Sequence, residues 1–362
     1  MKHVDEYRDP ALARELAQRL REESSRPVRF MELCGTHTMA IARHGITGLL
    51  PPTVELISGP GCPVCVTSGG EIDRMVELAR RPEVVVATFG DMVRVPGTVG
   101  SLALERARGA AVEVVYSPLD AVDLAAGRPD RQVVFLGIGF ETTAPTVAAA
   151  GLTARQRGLA NFSFLSAHKL LPPALAALLT GPELGIDGFL CPGHVTTVIG
   201  SQVYEPAARD FGKACVVSGF EPVDILASLL MLVRQVEAGR PRVEIQYGRA
   251  VHPQGNPAAV ALMNQLFRPA DAPWRGLGVI PASGLVLAEE FADLDAARRF
   301  DLPLVEKGEP AGCRCGEVLR GLIRPPECRL FAKVCDPGQP VGPCMVSSEG
   351  TCAAWYKYRR EE

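Results

Sequence analysis

Six of the chain's eleven cysteines fall within its last fifty residues, among prolines and glycines. These six are Cys313, Cys315, Cys328, Cys335, Cys344 and Cys352. The first residues, Met1–Glu6, are charged, and no apolar stretch typical of a secretory leader follows them. We therefore expect a protein of the reducing cytoplasm, where so dense a cysteine set binds metal or carries out redox chemistry rather than forming a disulfide framework.

Four of these cysteines can be spaced as C-x14-C-x6-C-x16-C, using Cys313, Cys328, Cys335 and Cys352. Four thiolates satisfy either a tetrahedral zinc ion or a [4Fe–4S] cluster. Structural zinc usually draws its ligands from close CxxC knuckles, whereas these cysteines are spread through proline-rich loops, so the pattern favours iron–sulfur. Spacing alone leaves Cys315 and Cys344 open as alternative ligands.

Cys34 ends a predicted strand immediately before a helix predicted to begin near Thr36. Backbone N–H groups and the helix dipole favour a thiolate at such a position, which makes Cys34 a candidate metal ligand or nucleophile. His37, three residues on, is a candidate ligand, proton relay or orienting group. The alternative is a buried structural cysteine with a histidine that caps its own helix.

Cys62 and Cys65 form a CxxC pair in a loop rich in glycine and proline. This spacing can close a disulfide and suits reversible two-electron chemistry. Ser68 followed by Glu71 resembles a capping box, which places Cys65 close to a helix N-terminus. Half of a zinc site is the alternative, but the sequence contains no second CxxC and no HxxxH to complete one.

Three further polar residues follow predicted strands and are weaker candidates: Asp91, Glu141 and His194. Acids at strand ends commonly cap helices, and Glu141 is predicted to help cap the helix whose first turn contains Pro145. His194 lies on a predicted tight turn, where its ring could face the same cleft as Cys34, although most loop histidines are surface or capping residues.

Nucleotide chemistry has little support in this sequence. Gly137 and Gly139 follow a strand, but Thr142 replaces the third glycine of a dinucleotide-binding GxGxxG motif. No GxxxxGK[ST] phosphate loop occurs. A formal net charge of -3 without a long basic block argues against nucleic acid, and the apolar runs are too short to cross a membrane. Small molecules and proteins remain as partners.

The elements that must position these residues alternate between apolar strand patterns and helical patterns, which predicts an α/β fold with parallel sheets. The predicted strands are Val28–Leu33, Val54–Ile57, Glu83–Phe89, Val112–Tyr116, Val133–Ile138, Phe162–Leu165, Phe189–Leu190 and Ala214–Val217. The predicted helices include residues 6–24, Glu71–Arg80, Leu102–Arg108, Pro145–Arg157 and Pro222–Ala238. Because ligands bind beyond the carboxyl ends of parallel strands, we expect the polar motifs to gather at those ends, in a cleft.

A break near Ala126–Pro129 predicts a division into two α/β lobes followed by a third, mixed α/β and loop-rich region. We place the first lobe, with Cys34 and the CxxC pair, at residues 28–126. The second lobe spans residues 127–238 and the third region, the iron–sulfur domain, residues 239–362. An N-terminal helix within residues 1–27 is expected to pack beside them.

The ordered motifs resemble the HypD family of maturation factors, which help to build the iron centre of [NiFe] hydrogenases. The resemblance covers nearly the whole chain, and its motifs are Cys34–Thr38, Gly59–Cys65, Thr88–Met92, Arg94–Gly97, Gly139–Pro145, Pro192–Val195, Cys313–Gly321 and Met345–Gly350. One departure is Ser68, where the family commonly has proline.

The resemblance implies two Rossmann-like lobes and a domain that binds a [4Fe–4S] cluster through Cys313, Cys328, Cys335 and Cys352. It also implies a partner, the small chaperone HypC, and an iron that acquires two cyanides and one carbon monoxide. The carrier HypE would deliver the cyanide. By this resemblance Cys34 helps to bind the assembly iron, Cys62 and Cys65 form a redox-active pair, and His194 lies near the site.

Cyanide release and ferrous iron both require electrons, so our hypothesis is that the cluster and the CxxC dithiol supply them to a redox-active assembly scaffold. A second hypothesis is an iron–sulfur-dependent disulfide or small-molecule reductase that turns over without a partner. A third is a passive scaffold whose cluster only stabilises the fold. Assembly is favoured because Cys34, His37 and His194 have no role in either alternative.

Overall fold

Parallel sheets form the framework of the molecule, as the alternation of strand and helix patterns predicts. The structure is a computed structural model that describes residues 5–181, 185–306 and 308–359. The strands are β1 (Val28–Glu32), β2 (Val54–Ser58), β3 (Val84–Thr88), β4 (Ala111–Val114), β5 (Gln132–Gly137), β6 (Phe162–Ser166), β7 (Gly188–Pro192), β8 (Ala214–Ser218), β9 (Val243–Ile245), β10 (Phe267–Trp274) and β11 (Gly278–Leu287). All eight predicted strands are confirmed.

Helices connect the strands. They are α1 (Pro10–Glu23), α2 (Gly35–Arg43), α3 (Ile46–Leu49), α4 (Pro63–Val66), α5 (Gly69–Ala79), α6 (Leu102–Ala107), α7 (Pro118–Gly127), α8 (Ala144–Gln156), α9 (Leu171–Thr180), α10 (Gly193–Ile199), α11 (Glu205–Arg209), α12 (Pro222–Glu237), α13 (Pro257–Leu266), α14 (Ala296–Arg299), α15 (Cys315–Leu319) and α16 (Thr351–Tyr358). Short 3-10 turns occur at Asp5–Arg8, Gly90–Arg94, Gln202–Tyr204, Glu289–Leu294, Pro325–Glu327 and Pro343–Met345.

Both parallel sheets have helices on their faces, so central strands such as β3 and β8 are buried along their whole length rather than at alternate residues. Helix α1 begins after its N-cap Asp9 and packs Leu16 and Leu20 into the core beside α12. The predicted N-terminal helix is therefore confirmed within residues 5–27, while residues 1–4 lie outside the described part of the chain.

The strand order divides the chain differently from the predicted lobes. The first sheet has the order β2-β1-β7-β8-β9 and the second has the order β4-β3-β5-β6. The chain thus starts the first sheet, crosses to build the whole second sheet, and then returns. Residues 28–126 contribute strands to both sheets, so the boundary at 126/127 separates strands of one sheet. The sequence did not reveal this division, because strands pair over long range, whereas glycine and proline in the loops mark only local boundaries.

The remaining part of the chain is loop-rich and contains a small antiparallel hairpin, β10–β11. Strand β9 belongs to the first parallel sheet, although it falls within the region predicted to start at residue 239. The α/β architecture with a loop-rich C-terminal region is therefore confirmed. Across the described ranges, no helix has both the length and the apolar character needed to span a membrane.

Candidate functional site

Cys34 lies at the junction between β1 and α2, where the sequence places it. It is the N-cap of α2 and makes no side-chain capping hydrogen bond, although the backbone N–H groups of His37 and Thr36 act to lower the pKa of its thiol. This effect favours a thiolate, but burial outweighs it and raises the pKa of Cys34 to about 12, with the nearby Glu349 adding to the rise. The expected thiolate therefore needs a cation beside it, and a metal ion is one cation that would stabilise it.

The CxxC loop packs directly against Cys34. The Gly35 N–H donates to the Gly61 carbonyl oxygen at 2.9 Å. A Cβ atom on Gly61 would lie 2.2 Å from the backbone nitrogen of Cys34, a distance that no side chain can adopt. Glycine at position 61 is what allows the two predicted cysteine motifs to touch through their backbones.

Cys62 and Cys65 are both free and buried, with 3% and 0% of their surfaces exposed. Cys62 is the N-cap of α4, and its sulfur accepts the N–H of Cys65 at 3.3 Å. Burial raises the pKa of Cys65, and its hydrogen bond with Cys62 adds to the rise. The predicted capping box is present, because Ser68 and Glu71 exchange side-chain to backbone hydrogen bonds at the start of α5.

The C-terminal segment supplies a residue that sequence reasoning missed. Glu349 accepts a hydrogen bond from the Thr36 hydroxyl at 2.6 Å, and it sits against Gly35, where a Cβ atom would be 2.6 Å from the Glu349 Cβ. Burial raises the pKa of this carboxyl. The sequence did contain a signal for Glu349, because this acid belongs to the motif Met345–Gly350 and lies three residues before Cys352.

Asp91 is also reached from the C-terminal segment. Ser347, two residues before Glu349, donates its hydroxyl to the Asp91 carboxylate at 2.8 Å. Asp91 therefore belongs to the surroundings of Cys34 through this segment. The structure brings together Cys34, the CxxC pair and Asp91 at the carboxyl ends of the strands.

His37 and His194 meet through an aromatic ring that the sequence did not single out. The Phe220 ring stacks on His37 at 4.6 Å and on His194 at 3.8 Å between ring centroids. The ring Nε2 of His37 hydrogen-bonds the Gly219 carbonyl at 2.8 Å, so this ring nitrogen is already engaged. Burial lowers the pKa of His37 to about 4, whereas His194 is exposed.

Glu141 caps a different helix from the one predicted. Its carboxylate accepts the N–H of Leu171 at 2.9 Å, at the start of α9, while Thr143 is the N-cap of α8 without a side-chain hydrogen bond. Only 1% of Glu141 is exposed, and burial raises its pKa to about 7. The structure therefore places Glu141 at the start of α9, as a buried cap of that helix.

The C-terminal cysteines line one small cavity. All six contribute to it: Cys313, Cys315, Cys328, Cys335, Cys344 and Cys352. Cys315 and Cys344 form a disulfide, which leaves the four predicted ligands as free thiols. The Val341 N–H donates to the Cys335 sulfur at 3.3 Å, and Gly342 approaches Cys313 so closely that a Cβ atom would lie 2.6 Å from its sulfur.

The four free thiols are not arranged for a single ion. Within residues 5–181, 185–306 and 308–359, no three His, Cys, Asp or Glu side chains converge closely enough to hold one metal ion. Tetrahedral zinc needs sulfurs at about 2.3 Å from the ion. Burial raises the pKa of Cys313 to about 11 and also raises that of Cys352, so these thiols need positive charge to ionise.

A cleft of about 510 Å³ lies between the edge strand β2 and the C-terminal segment. Glu32 lines it and reaches toward the site, because its carboxylate accepts the backbone N–H of Cys34 at 2.9 Å and the hydroxyl of Thr38. Burial raises the pKa of Glu32 to about 7. This carboxyl fixes the backbone from which the Cys34 thiol projects.

Comparison with known proteins identifies relatives along the whole chain. The family described as "HypD: Hydrogenase formation hypA family" matches residues 11–359. The chain is 51% identical to hydrogenase maturation factor HypD of Azotobacter vinelandii, over 100% of this chain and 98% of that protein. It is 48% identical to HypD of Escherichia coli, over 100% and 99% of the two chains. It is 46% identical to HypD2 of Bradyrhizobium diazoefficiens, over 99% and 97%.

Proposed function

Because this chain belongs to the HypD family of hydrogenase maturation factors, we propose that it scaffolds assembly of the iron unit of [NiFe] hydrogenase. In this unit, iron carries two cyanides and one carbon monoxide. The observation that supports the proposal best is the convergence of Cys34, the CxxC loop and the C-terminal segment on one edge of the first sheet. A stand-alone cysteine site would need no such convergence.

Cys34 is the proposed ligand for the assembly iron, which is cargo rather than a resident group. A low-spin iron with cyanide and carbonyl ligands is well served by a soft thiolate donor. The buried Cys34 thiol, at the N-terminus of α2, exchanges its proton for the metal ion on binding. We propose that a HypC-type chaperone supplies a second thiolate and that a HypE-type carrier supplies the cyanide.

The four free thiols of the C-terminal cavity fit a resident [4Fe–4S] cluster better than a single zinc ion. They line one cavity without converging on a point, and a backbone N–H already donates to the Cys335 sulfur, as N–H groups do to cluster sulfurs. We propose Cys313, Cys328, Cys335 and Cys352 as its ligands. Such a cluster would supply electrons for the assembly reaction in the reducing cytoplasm.

Cys62 and Cys65 are the proposed two-electron group of the scaffold. As a disulfide, the pair would accept two electrons and two protons when its S–S bond breaks, and as a dithiol it would return them. Its loop touches the Cys34 backbone, so the pair is placed to act on iron held there. Asp91, His37 and His194 are proposed to shape this site rather than to bind the cluster, and Glu141 to support the fold as the cap of α9.

Burial of the dithiol argues against the alternative of an independent disulfide reductase. Reactive cysteines that attack external disulfides are partly exposed, whereas Cys62 and Cys65 are 3% and 0% exposed. A small species held in the site reaches such a pair more readily than a disulfide of a large substrate does.

Replacing Cys62 and Cys65 together by serine tests the redox role of the pair. We expect the double variant to fold and to bind its chaperone partner, but to form less than a tenth of the iron–cyanide unit, because it cannot exchange two electrons. Infrared bands of iron-bound cyanide, normalised to the bound partner, measure the yield. A yield equal to that of the unmodified protein would show that the pair has no part in assembly.

A further inference from the structure

The turn of the β10–β11 hairpin lies between the dithiol and the cysteine cavity. On one side, Trp274 forms an antiparallel bridge with Thr67, and the Arg275 N–H donates to the Val66 carbonyl at 2.9 Å. On the other side, Gly276 faces Gly316, next to Cys315, so closely that a Cβ atom would lie 2.3 Å from the Gly316 Cα. This turn connects the end of the CxxC helix to the start of α15.

The Arg275 side chain is buried in this junction, with only 4% of its surface exposed. Its Nε donates to the Thr67 carbonyl at 3.1 Å, at the end of the CxxC helix. Its Nη2 is buried and has no hydrogen-bond partner among the described residues. A guanidinium stays protonated in proteins, and leaving part of it buried without a partner costs free energy.

Four groups on other segments act electrostatically on this cation, against the lowering of its pKa by burial. They are Glu309, Cys313 of the cavity, Cys65 of α4 and Glu306. Both carboxylates are already engaged, because Glu306 accepts the Ser68 hydroxyl at 2.6 Å and Glu309 accepts the Gly316 N–H at 3.3 Å. Neither carboxylate bonds Nη2, and the Nε bond to Thr67 holds the guanidinium at the end of the CxxC helix, two residues after Cys65.

We propose that Arg275 is a positioning residue that sets the reduction potential of the Cys62–Cys65 pair by stabilising negative charge on its reduced form, which burial of the two sulfurs opposes. This inference rests on the proposed redox function of the pair. Reduction breaks the S–S bond and takes up two electrons. It takes up two protons if both products are thiols, and only one if one product stays a thiolate. The guanidinium favours the product that takes up only one proton. A dithiol or the cluster donates the electrons.

Redox titration of the full-length protein tests this role. Wild type, Arg275→Gln and Arg275→Lys are equilibrated anaerobically with mixtures of reduced and oxidised dithiothreitol, and the Cys62–Cys65 disulfide is quantified by mass after alkylation. We expect the equilibrium constant for reduction to fall at least tenfold in Arg275→Gln, which is a potential about 30 mV more negative. Arg275→Lys keeps the charge and is expected to retain most of the wild-type value.

Arg268 on the same hairpin provides the matched control. It pairs with Glu290 at 3.3 Å, and half of its side chain is exposed, so Arg268→Gln is expected to leave the potential unchanged. A wild-type potential in Arg275→Gln would overturn the proposal. Equal shifts in Arg275→Gln and Arg275→Lys, with equal losses of melting temperature, would also overturn it, because packing and not charge would then be the cause.

Failure of the underlying redox function has a different signature. If wild type forms no Cys62–Cys65 disulfide at any dithiothreitol ratio, the redox role of the pair is wrong. The rate of iodoacetamide modification of Cys65 then decides the role of Arg275. A rate at least tenfold lower in Arg275→Gln supports stabilisation of the thiolate by the guanidinium, and an unchanged rate contradicts it.

Discussion

At the scale of single residues, the groups around each sulfur determine which chemistry a cysteine of this protein can perform. Cys34 lies at a helix N-terminus, yet burial and the nearby Glu349 keep its pKa high. The same residue types that would activate an exposed thiol therefore produce a thiol that ionises only when a cation arrives. This property suits a temporary iron ligand better than a nucleophile.

The division of the C-terminal cysteines into four free thiols, our proposed ligands, and one disulfide pair gives a prediction at the same scale. Cys328→Ser removes a proposed ligand, and we expect it to lose most of the cluster iron and the associated visible absorption. Cys315→Ser removes only a disulfide partner, and we expect it to keep about the wild-type iron content. Iron and sulfide analysis of anaerobically purified protein measures both.

These two variants form a matched pair, because both remove a cysteine that lines the same cavity. Loss of iron in Cys315→Ser with retention in Cys328→Ser would assign the ligands the other way. The sequence left this choice open, since the spacing of the six cysteines permits several sets of four. Only their placement around one cavity, with two of them joined to each other, separates them.

At the scale of elements, helix starts position most of the site. Cys34, Cys62 and Ser68 are the N-caps of α2, α4 and α5. Local patterns predict these positions well, because a cap and its helix are neighbours in sequence. They fail for Glu141, which caps α9 thirty residues downstream instead of the adjacent α8. Contact between distant segments decides that case, and no local pattern records it.

Glu141→Gln tests this buried cap through its pH dependence. The fold raises the carboxyl pKa from 4.5 to about 7, so the folded protein holds a proton that the unfolded chain releases. Its contribution to stability is complete below pH 4.5 and is lost as the pH rises through 7. Glutamine keeps an oxygen for the Leu171 N–H but does not ionise.

We therefore expect the free energy of unfolding of Glu141→Gln to rise relative to that of wild type between pH 4.5 and pH 8, by up to about 3 kcal/mol. Urea unfolding of both proteins at several pH values measures the difference. A difference that stays constant, or that shrinks as the pH rises, would contradict a buried carboxyl with a raised pKa.

At the scale of the whole molecule, the chain leaves the first sheet after β2 and returns to it at β7. The consequence is that Cys34 and the CxxC pair, which precede the crossing, share an edge with His194, which follows the return. The strands themselves were predictable, because each is a local apolar run. The sheet that each strand joins was not, since pairing such as β1 with β7 depends on residues about 160 positions apart.

This topology predicts that residues 28–126 do not fold alone. The fragment contains β1 and β2 without β7, and β3 and β4 without β5. We expect no cooperative urea transition and little amide protection in the fragment, whereas residues 69–180, which hold the complete second sheet, should show more. A cooperative transition in residues 28–126 would contradict this expectation and support a lobe boundary at residues 126/127.

The central claim, that Cys34 binds the assembly iron, is tested most directly by infrared spectroscopy of the protein purified anaerobically with the proposed HypC-type partner. We predict bands from iron-bound cyanide and carbon monoxide in wild type and their loss in Cys34→Ala. Cys215→Ala, which removes another buried free cysteine of the same sheet, should keep them. Bands that persist unchanged in Cys34→Ala would contradict the account.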